Sequence, residues 1–262
     1  MIDTSIINKY LKGESLSALS KEYNISTYIL KKELISKGIK IRSRNEQNKF
    51  SPQNQRVYKV NDLYFSNQNA NMAYLLGFYA ADGCVYKDKN AIKLTLSSVD
   101  RDFLEKVKKE LDSDYPIRDY ETKDGYTNSE FIFSSLQIKK DFSDYGITPL
   151  KTYNLKFPEK LKKEYYIDFI RGYFDGDGCV SSAGKSAIRW QICAYNKDIL
   201  KRIVDILEEY NIPKVSVQNL SNRNIYTIQY STNATKKIFD ILYYNNCLCL
   251  ERKYNKFKTL VK

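Results

Sequence analysis

IRGYFDGDGCV, residues 170–180, closes an apolar run with alternating acids, Asp175 and Asp177 before Gly178, as a calcium loop does. An EF-hand loop begun at Asp175 needs an oxygen ligand at its fifth position and a bidentate Glu at its twelfth. Those places hold Cys179 and Ser186, so the calcium reading fails. LLGFYAADGCV, residues 75–85, has the same form: an apolar helical run, a small residue, then Asp, Gly, Cys, Val. Asp82 and Asp177 stand 95 residues apart, and LSSVDRDFL (96–104) matches ICAYNKDIL (192–200) at nearly the same offset. Such self-similarity implies a duplicated unit of roughly 100 residues.

Composition bounds what the unit can do. The chain has 262 residues, enough for two or three small modules with their own cores, and 42% hydrophobic content is ordinary for a globular protein. A formal net charge of +12, with basic residues along the whole chain, favours a polyanionic partner, nucleic acid first. No apolar stretch reaches membrane-spanning length and MIDTSIINKY lacks a signal-peptide core, which predicts an intracellular protein. Five cysteines without a CxxC pair read as packing residues rather than a disulfide framework or a zinc site. The absence of histidine excludes Ser-His and Cys-His nucleophilic systems and most zinc hydrolases. Chemistry here must use carboxylates, lysines, tyrosines or an oxygen-held metal, which suits magnesium.

Three modules follow along the chain. Residues 1–46 read as three short helices, with Ser15 and Ser26 as N-caps, Gly13 and Gly38 past helix ends, and Leu16, Leu19, Tyr23, Ile29, Leu30 and Leu34 as a small core. This is the pattern of a helix-turn-helix, whose recognition helix would offer Thr27, Tyr28, Lys31 and Lys32 to a major groove, with IKIRSRN adding phosphate contacts. Polar residues 47–64 read as a linker. Residues 65–158 and 159–262 are the two copies, each running helix, strands, helix, strands, helix.

Within each copy one strand alternates with period two. In IKLTLS (92–97), Ile92, Leu94 and Leu96 oppose Lys93, Thr95 and Ser97; in IRWQIC (188–193), Ile188, Trp190 and Ile192 oppose Arg189, Gln191 and Cys193. That is a sheet buried on one side and open on the other. Lys93, Thr95, Arg189 and Gln191, with Arg118 and Gln218, are the candidate DNA-contacting residues on the open faces.

The motif helices carry small residues four apart, Gly77 and Ala81 in one and Gly172 and Gly176 in the other. Such stripes let two helices pack with close backbones, and the close approach offsets the roughly 1 kcal/mol that a helical glycine costs against alanine. Arg171 is expected on the outer face of the second helix. Gly83 and Gly178 are expected as left-handed helix-ending residues, leaving Asp82 and Asp177 at adjacent helix C-termini. A carboxylate beside unpaired carbonyls is unfavourable without a cation, so the pair predicts a divalent-metal site.

LLGFYAADG and IRGYFDGDG resemble the two motifs of the LAGLIDADG homing endonucleases in their single-chain form, over residues 65–262. The resemblance implies an α+β fold of two pseudo-symmetric αββαββα repeats whose sheets make a saddle on duplex DNA. It assigns Asp82 and Asp177 to metal binding and strand cleavage, with the carbonyls of Ala81 and Gly176 as further ligands of Mg2+ or another divalent cation such as Mn2+. One departure is that the earlier acidic position is Asp175 in the second copy but Ala80 in the first. The family also uses a basic residue in each half: here Lys151, with Lys156 as rival, and Lys253, with Arg252 as rival. The reading is a monomeric, Mg2+-dependent, site-specific endonuclease making a staggered double-strand break. The alternatives are an intron-RNA maturase and a catalytically silent DNA-binding regulator on the same scaffold. Intein splicing is disfavoured by the lack of a flanking Cys or Ser, of His and of a terminal Asn.

Overall fold

Asp3, Ser15 and Ser26 each place a side-chain oxygen on a free amide of the following turn, and so begin α1 (Thr4–Leu11), α2 (Leu16–Tyr23) and α3 (Thr27–Ser36). The computed structural model describes residues 2–48, 50, 57–184, 187–220 and 224–261. They form two bodies, divided between Val57 and Tyr58. In the first, Asn24 takes the left-handed conformation (φ 49°) that ends α2 and turns the chain towards α3. Its core is Ile2, Ile6, Tyr10, Leu19, Leu30 and Leu34, with Leu16 and Tyr23 packed against it. Ile29 does not belong to it: it is half exposed, because Leu30 and Leu34 set the buried face and position 29 lies well to its side. A fourth helix, α4 (Arg44–Asn48), opens on a reciprocal cap, Glu46 N donating to Ser43 Oγ (3.2 Å) and Ser43 N to Glu46 Oε2 (2.7 Å). Arg42, expected as a phosphate contact, is used internally. Its guanidinium lies over the Tyr10 ring and donates to Gln47 and to the Glu14 carbonyl.

Of the stretch read as linker, residues 49 and 51–56 lie outside the described residues. From Tyr58 onward the chain belongs to the second body, where Val60, Tyr64 and Phe65 are in the core.

The second body contains the duplication. Helix α5 (Ala70–Asp82) leads into β1 (Gly83–Val85), β2 (Ala91–Ser97), α6 (Arg101–Glu110), β3 (Ile117–Glu121), β4 (Thr127–Ser134) and α7 (Leu136–Asp144). The second copy runs α8 (Tyr166–Asp177), β5 (Gly178–Ser182), β6 (Ile188–Ala194), α9 (Lys197–Glu209), β7 (Gln218–Leu220), β8 (Ile225–Tyr230) and α10 (Thr232–Leu242), then adds α11 (Glu251–Val261). Both sheets are antiparallel with one topology, β1-β2-β4-β3 and β5-β6-β8-β7. This is the expected two-repeat α+β architecture.

Alternation decides the faces. Ile92, Leu94, Leu96, Phe131 and Phe133 are buried in the first sheet, and Ile188, Trp190, Ile192, Ile228 and Tyr230 in the second. Helix α6 covers the first inner face, and α9 and α10 the second.

Helices α5 and α8 pack along most of their length. A Cβ on Gly77 would collide with the carbonyl oxygen of Phe169 and lie 2.9 Å from Tyr173 N; one on Gly172 would collide with the carbonyl of Tyr74 and lie 2.9 Å from Phe78 N. Each glycine meets the equivalent backbone of the other copy, so the contact is reciprocal about a pseudo-twofold axis. Two expectations at this junction are corrected. Gly83 (φ −72°, ψ 149°) and Gly178 (φ −84°, ψ 163°) are extended, because the chain passes directly from helix to strand. Glycine is still needed, since a Cβ on Gly83 would sit 2.5 Å from Tyr79 O and one on Gly178 would run into the Phe174 ring. Arg171 is fully buried rather than outward-facing, since the loop after α10 folds over that side of α8 and offers it the carbonyls of Leu242 and Leu248. Of the cysteines read as packing residues, Cys247 and Cys249 are half-buried and pack against the core, Cys193 is half-buried, and Cys84 and Cys179 are exposed. Cys84 and Cys179 take the outward alternation of β1 and β5, opposite Lys93 and Gln191.

A candidate active site at the ends of the paired helices

The close packing of α5 and α8 brings their C-terminal residues, Asp82 and Asp177, to one place. A Cβ on Gly176 would lie against the Ala81 methyl and 3.2 Å from Asp82 Oδ2, so the first helix's carboxylate rests on the end of the second. Neither carboxylate forms a hydrogen bond or an ion pair within 4 Å among the described residues. Both remain open to solvent, yet helix ends and strands fill the space around them. That loss of water raises the Asp82 pKa, opposed by Lys253 and Lys151. Asp177 is pushed up to about 6, by burial first and then by the Asp82 charge.

Two lysines flank the pair, each held by the carbonyls where a motif helix becomes a strand. Lys151, in a short 3-10 turn, donates through Nζ to Gly83 O (2.5 Å) and Ala81 O (3.4 Å). Lys253, in the first turn of α11, donates to Phe174 O (2.9 Å), Gly176 O (2.9 Å) and Gly178 O (2.7 Å). The ammonium groups complement the negative helix ends. Burial lowers both lysine pKa values, opposed for Lys151 by Asp177 and for Lys253 first by Asp175. The rivals are elsewhere. Lys156 is exposed, and Arg252 is turned to Asp100. The carbonyls of Ala81 and Gly176, expected as metal ligands, here accept hydrogen bonds from the lysines.

The donor set fits a hard divalent cation. Two adjacent carboxylates without a bonded partner are what magnesium takes from a protein, the remaining positions going to water and phosphate. No cluster of three or more acidic, thiol or imidazole groups joins them among the described residues.

The departure between copies has a structural explanation. Asp175 is buried and accepts from Tyr74 OH (2.8 Å), Tyr243 OH (2.6 Å) and Leu250 N (2.8 Å); its counterpart Ala80 packs in the core. The earlier acidic position, with its three donors, ties the halves together in the interior.

Along the open faces, Lys93, Thr95, Arg118, Arg189, Gln191 and Gln218 all stand outward. Lys93, Thr95 and Gln191 are half-buried, and Arg118, Arg189 and Gln218 are exposed. Among the described residues Thr95 Oγ1 has no hydrogen-bond partner, whereas Gln191 Nε2 donates to Thr227 Oγ1. Pattern reading missed Glu130, which shares the first face, opposite Thr95 on one side and Arg118 on the other. Its signal was the alternation of β4, which puts Phe131 and Phe133 inward. In the first body, Thr27, Tyr28, Lys31 and Lys32 are exposed on α3, and Tyr28, Lys31, Lys32 and Ile35 share one face of it.

Among the described residues no helix is long and apolar enough to cross a membrane. Comparison with known proteins agrees with the duplication. The chain is 25% identical over 222 residues to the DNA-directed RNA polymerase subunit Rpo1C of Methanocaldococcus jannaschii, covering 83% of this chain and 24% of the relative. It is 25% identical over 195 residues to that organism's probable translation initiation factor IF-2, covering 71% of this chain and 14% of the relative. The chain thus spans only a minor part of either. Among solved structures, mesophilic variants of the homing endonuclease I-DmoI superpose with a TM-score of 0.50 at 18% identity, over 76% of this chain and 99% of that one. The model of the LAGLIDADG-like domain matches residues 69–140 and 164–241, one segment per repeat and together more than half of the sequence. With the motif helix inside each matched segment and the same sheet built twice, this chain belongs to the LAGLIDADG-like domain family.

Proposed function

We propose that this chain is a site-specific endonuclease that lays its two polar sheet faces on duplex DNA and hydrolyses one phosphodiester in each strand at the Asp82–Asp177 end of the paired helices. The observation that carries this reading is the pair of unpartnered carboxylates with one half-buried lysine on either side, arranged about a pseudo-twofold axis that matches the symmetry of a duplex. Asp82 and Asp177 would hold Mg2+ or Mn2+, with the Ala81 and Gly176 carbonyls available once the ammonium groups turn to phosphate. Such a cation supplies charge neutralisation at phosphorus and a more acidic water. The carboxylates would hold the cation and orient the attacking water beside phosphorus. Lys151 and Lys253 place positive charge beside each scissile phosphate, where charge develops as the P–O bond breaks. Lys93, Thr95, Arg118, Arg189, Gln191 and Gln218 contact bases and phosphates along the grooves, and Glu130 is suited to accept from a cytosine amino group. The first body reads further DNA through Thr27, Tyr28, Lys31 and Lys32 of α3. The protein acts as a monomer, its two repeats replacing two subunits.

Asp82→Asn and Asp177→Asn test the assignment. Double-strand cleavage in Mg2+ is expected to be lost, with DNA affinity changing less than about tenfold, or roughly 1.4 kcal/mol, by anisotropy titration. Full cleavage by either variant would show that these carboxylates are not the metal-holding pair.

A further inference from the structure

The two lysines beside the carboxylates are not held alike. Arg252, one residue before Lys253, forms a forked pair with Asp100 of the other repeat: Nε to Oδ1 2.9 Å, Nε to Oδ2 3.1 Å, and Nη2 to Oδ2 2.8 Å. The Asp100 side chain is only 6% exposed, so the carboxylate is buried and depends on this guanidinium. A second pair, Lys106 with Glu251, lies alongside but is exposed, so solvent screens it and it adds little to the fastening. Helix α11 is thus fastened at its first turn to the opposite repeat, and Lys253 projects from that turn onto three carbonyls.

Among the described residues no ion pair fastens the turn of Lys151 to the other repeat; its contact there is the Tyr153–Tyr195 ring pair, centroids 5.1 Å apart and both rings well exposed. The residue before it, Leu150, stands 86% exposed in the left-handed region at φ 60°. The counterpart of Asp100 in the aligned segments is Asn196, whose side chain accepts from Asp198 N and so caps α9. Lys151 reaches two carbonyls, one of them at 3.4 Å.

We propose that the Arg252–Asp100 pair is a positioning latch for Lys253, so that cleavage of one DNA strand depends on an ion pair between the repeats and cleavage of the other does not. This rests on the nuclease reading above. The fork fixes the first turn of α11, and with it the ammonium group that must face one scissile phosphate. Charge placed loosely at a reacting phosphate loses much of its effect. Removing the latch leaves the Asp82, Asp177 and Lys151 side intact, so the enzyme is expected to nick.

The test compares wild type, Arg252→Gln, Asp100→Asn, Arg252→Lys and the control Lys106→Ala. The substrate is a duplex selected by the wild-type protein from a randomised library, labelled on either strand in turn, in saturating Mg2+. In Arg252→Gln and Asp100→Asn the ratio of the two strand-cleavage rates should shift by roughly tenfold or more, always against the same strand, with nicked product accumulating. Arg252→Lys, which keeps a cation on Asp100, should bring the ratio back towards wild type, and Lys106→Ala should leave it unchanged. A general loss of stability slows both strands together, so it cannot imitate the shift. Equal slowing of both strands, or an unchanged ratio in folded Arg252→Gln and Asp100→Asn, overturns the latch while leaving the nuclease reading in place. A wild-type protein that selects and cuts no duplex overturns the nuclease reading and the latch with it.

Discussion

Arg171 carries its charge in the interior of the second repeat, and the groups around it explain how. Nη2 pairs with Asp168 at 2.8 Å, Nε donates to Leu248 O and Nη1 to Leu242 O, both at 3.0 Å, and the guanidinium lies near the Tyr74 and Tyr244 rings. Tyr244 in turn donates to Asp168 at 2.7 Å. Removing one member of such a set leaves a buried charge unpaired, which costs about 3 to 5 kcal/mol. Arg171→Leu is therefore expected to lower the free energy of unfolding, extrapolated from urea titration, by that amount, and Asp168→Leu similarly, with the double variant losing less than the sum. In sequence, Arg171 sits one residue before a helix-contact glycine, and its hydrophilic side chain suggested an outer face. The loop that covers it comes from beyond α10, more than seventy positions away, and periodicity within α8 holds no information about that loop.

At the scale of the element, the motif helices were largely legible. The glycine spacing predicted a close contact, and the structure puts Gly77 and Gly172 against backbone carbonyls rather than side chains. A carbonyl cannot turn aside as a side-chain tip does, so even a methyl group must push the helices apart. Gly172→Ala is expected to destabilise by at least the 1 to 3 kcal/mol of ordinary overpacking, and cleavage should fall further because Asp82 and Asp177 move with the helices. Thermal melting with cleavage rates on the same samples checks both parts. Asp82, Asp177 and the alternation of β2 and β6 were readable because motif and period are local properties. The choice of Lys151 over Lys156 and Lys253 over Arg252 was not, since it depends on which side chain the fold delivers to the carbonyls of another helix. The extended backbone at Gly83 and Gly178 was misjudged for a related reason: glycine after a helix signals a left-handed cap only when no strand begins at once.

For the whole molecule, charge distribution makes a prediction that pattern alone does not. Residues 1–57 carry half of the net positive charge in less than a quarter of the length. If α3 and its neighbours lie on phosphates, deleting residues 1–57 should shorten the protected footprint at one end. It should also flatten the salt dependence of binding, log K against log salt losing about 0.9 of slope for each phosphate contact removed. An unchanged footprint and slope would mean that the first body serves some purpose other than DNA contact.

The hydrogen bond from Tyr74 to Asp175 joins the two repeats at unlike residues, since the counterpart of Tyr74 is Phe169 and that of Asp175 is Ala80. Two second repeats paired with each other would set Phe169 against Asp175, leaving a buried carboxylate short of a donor on both sides. Two first repeats would bury a Tyr74 hydroxyl against Ala80, again twice. Each unmatched buried group costs about 1 to 3 kcal/mol, so both like-with-like pairings are penalised where the native pairing is not. The same helix face that makes the halves interchangeable in backbone makes them distinguishable in polarity. Each half thereby prefers the unlike half to a copy of itself, so that a first repeat seeks a second repeat and like does not assemble with like.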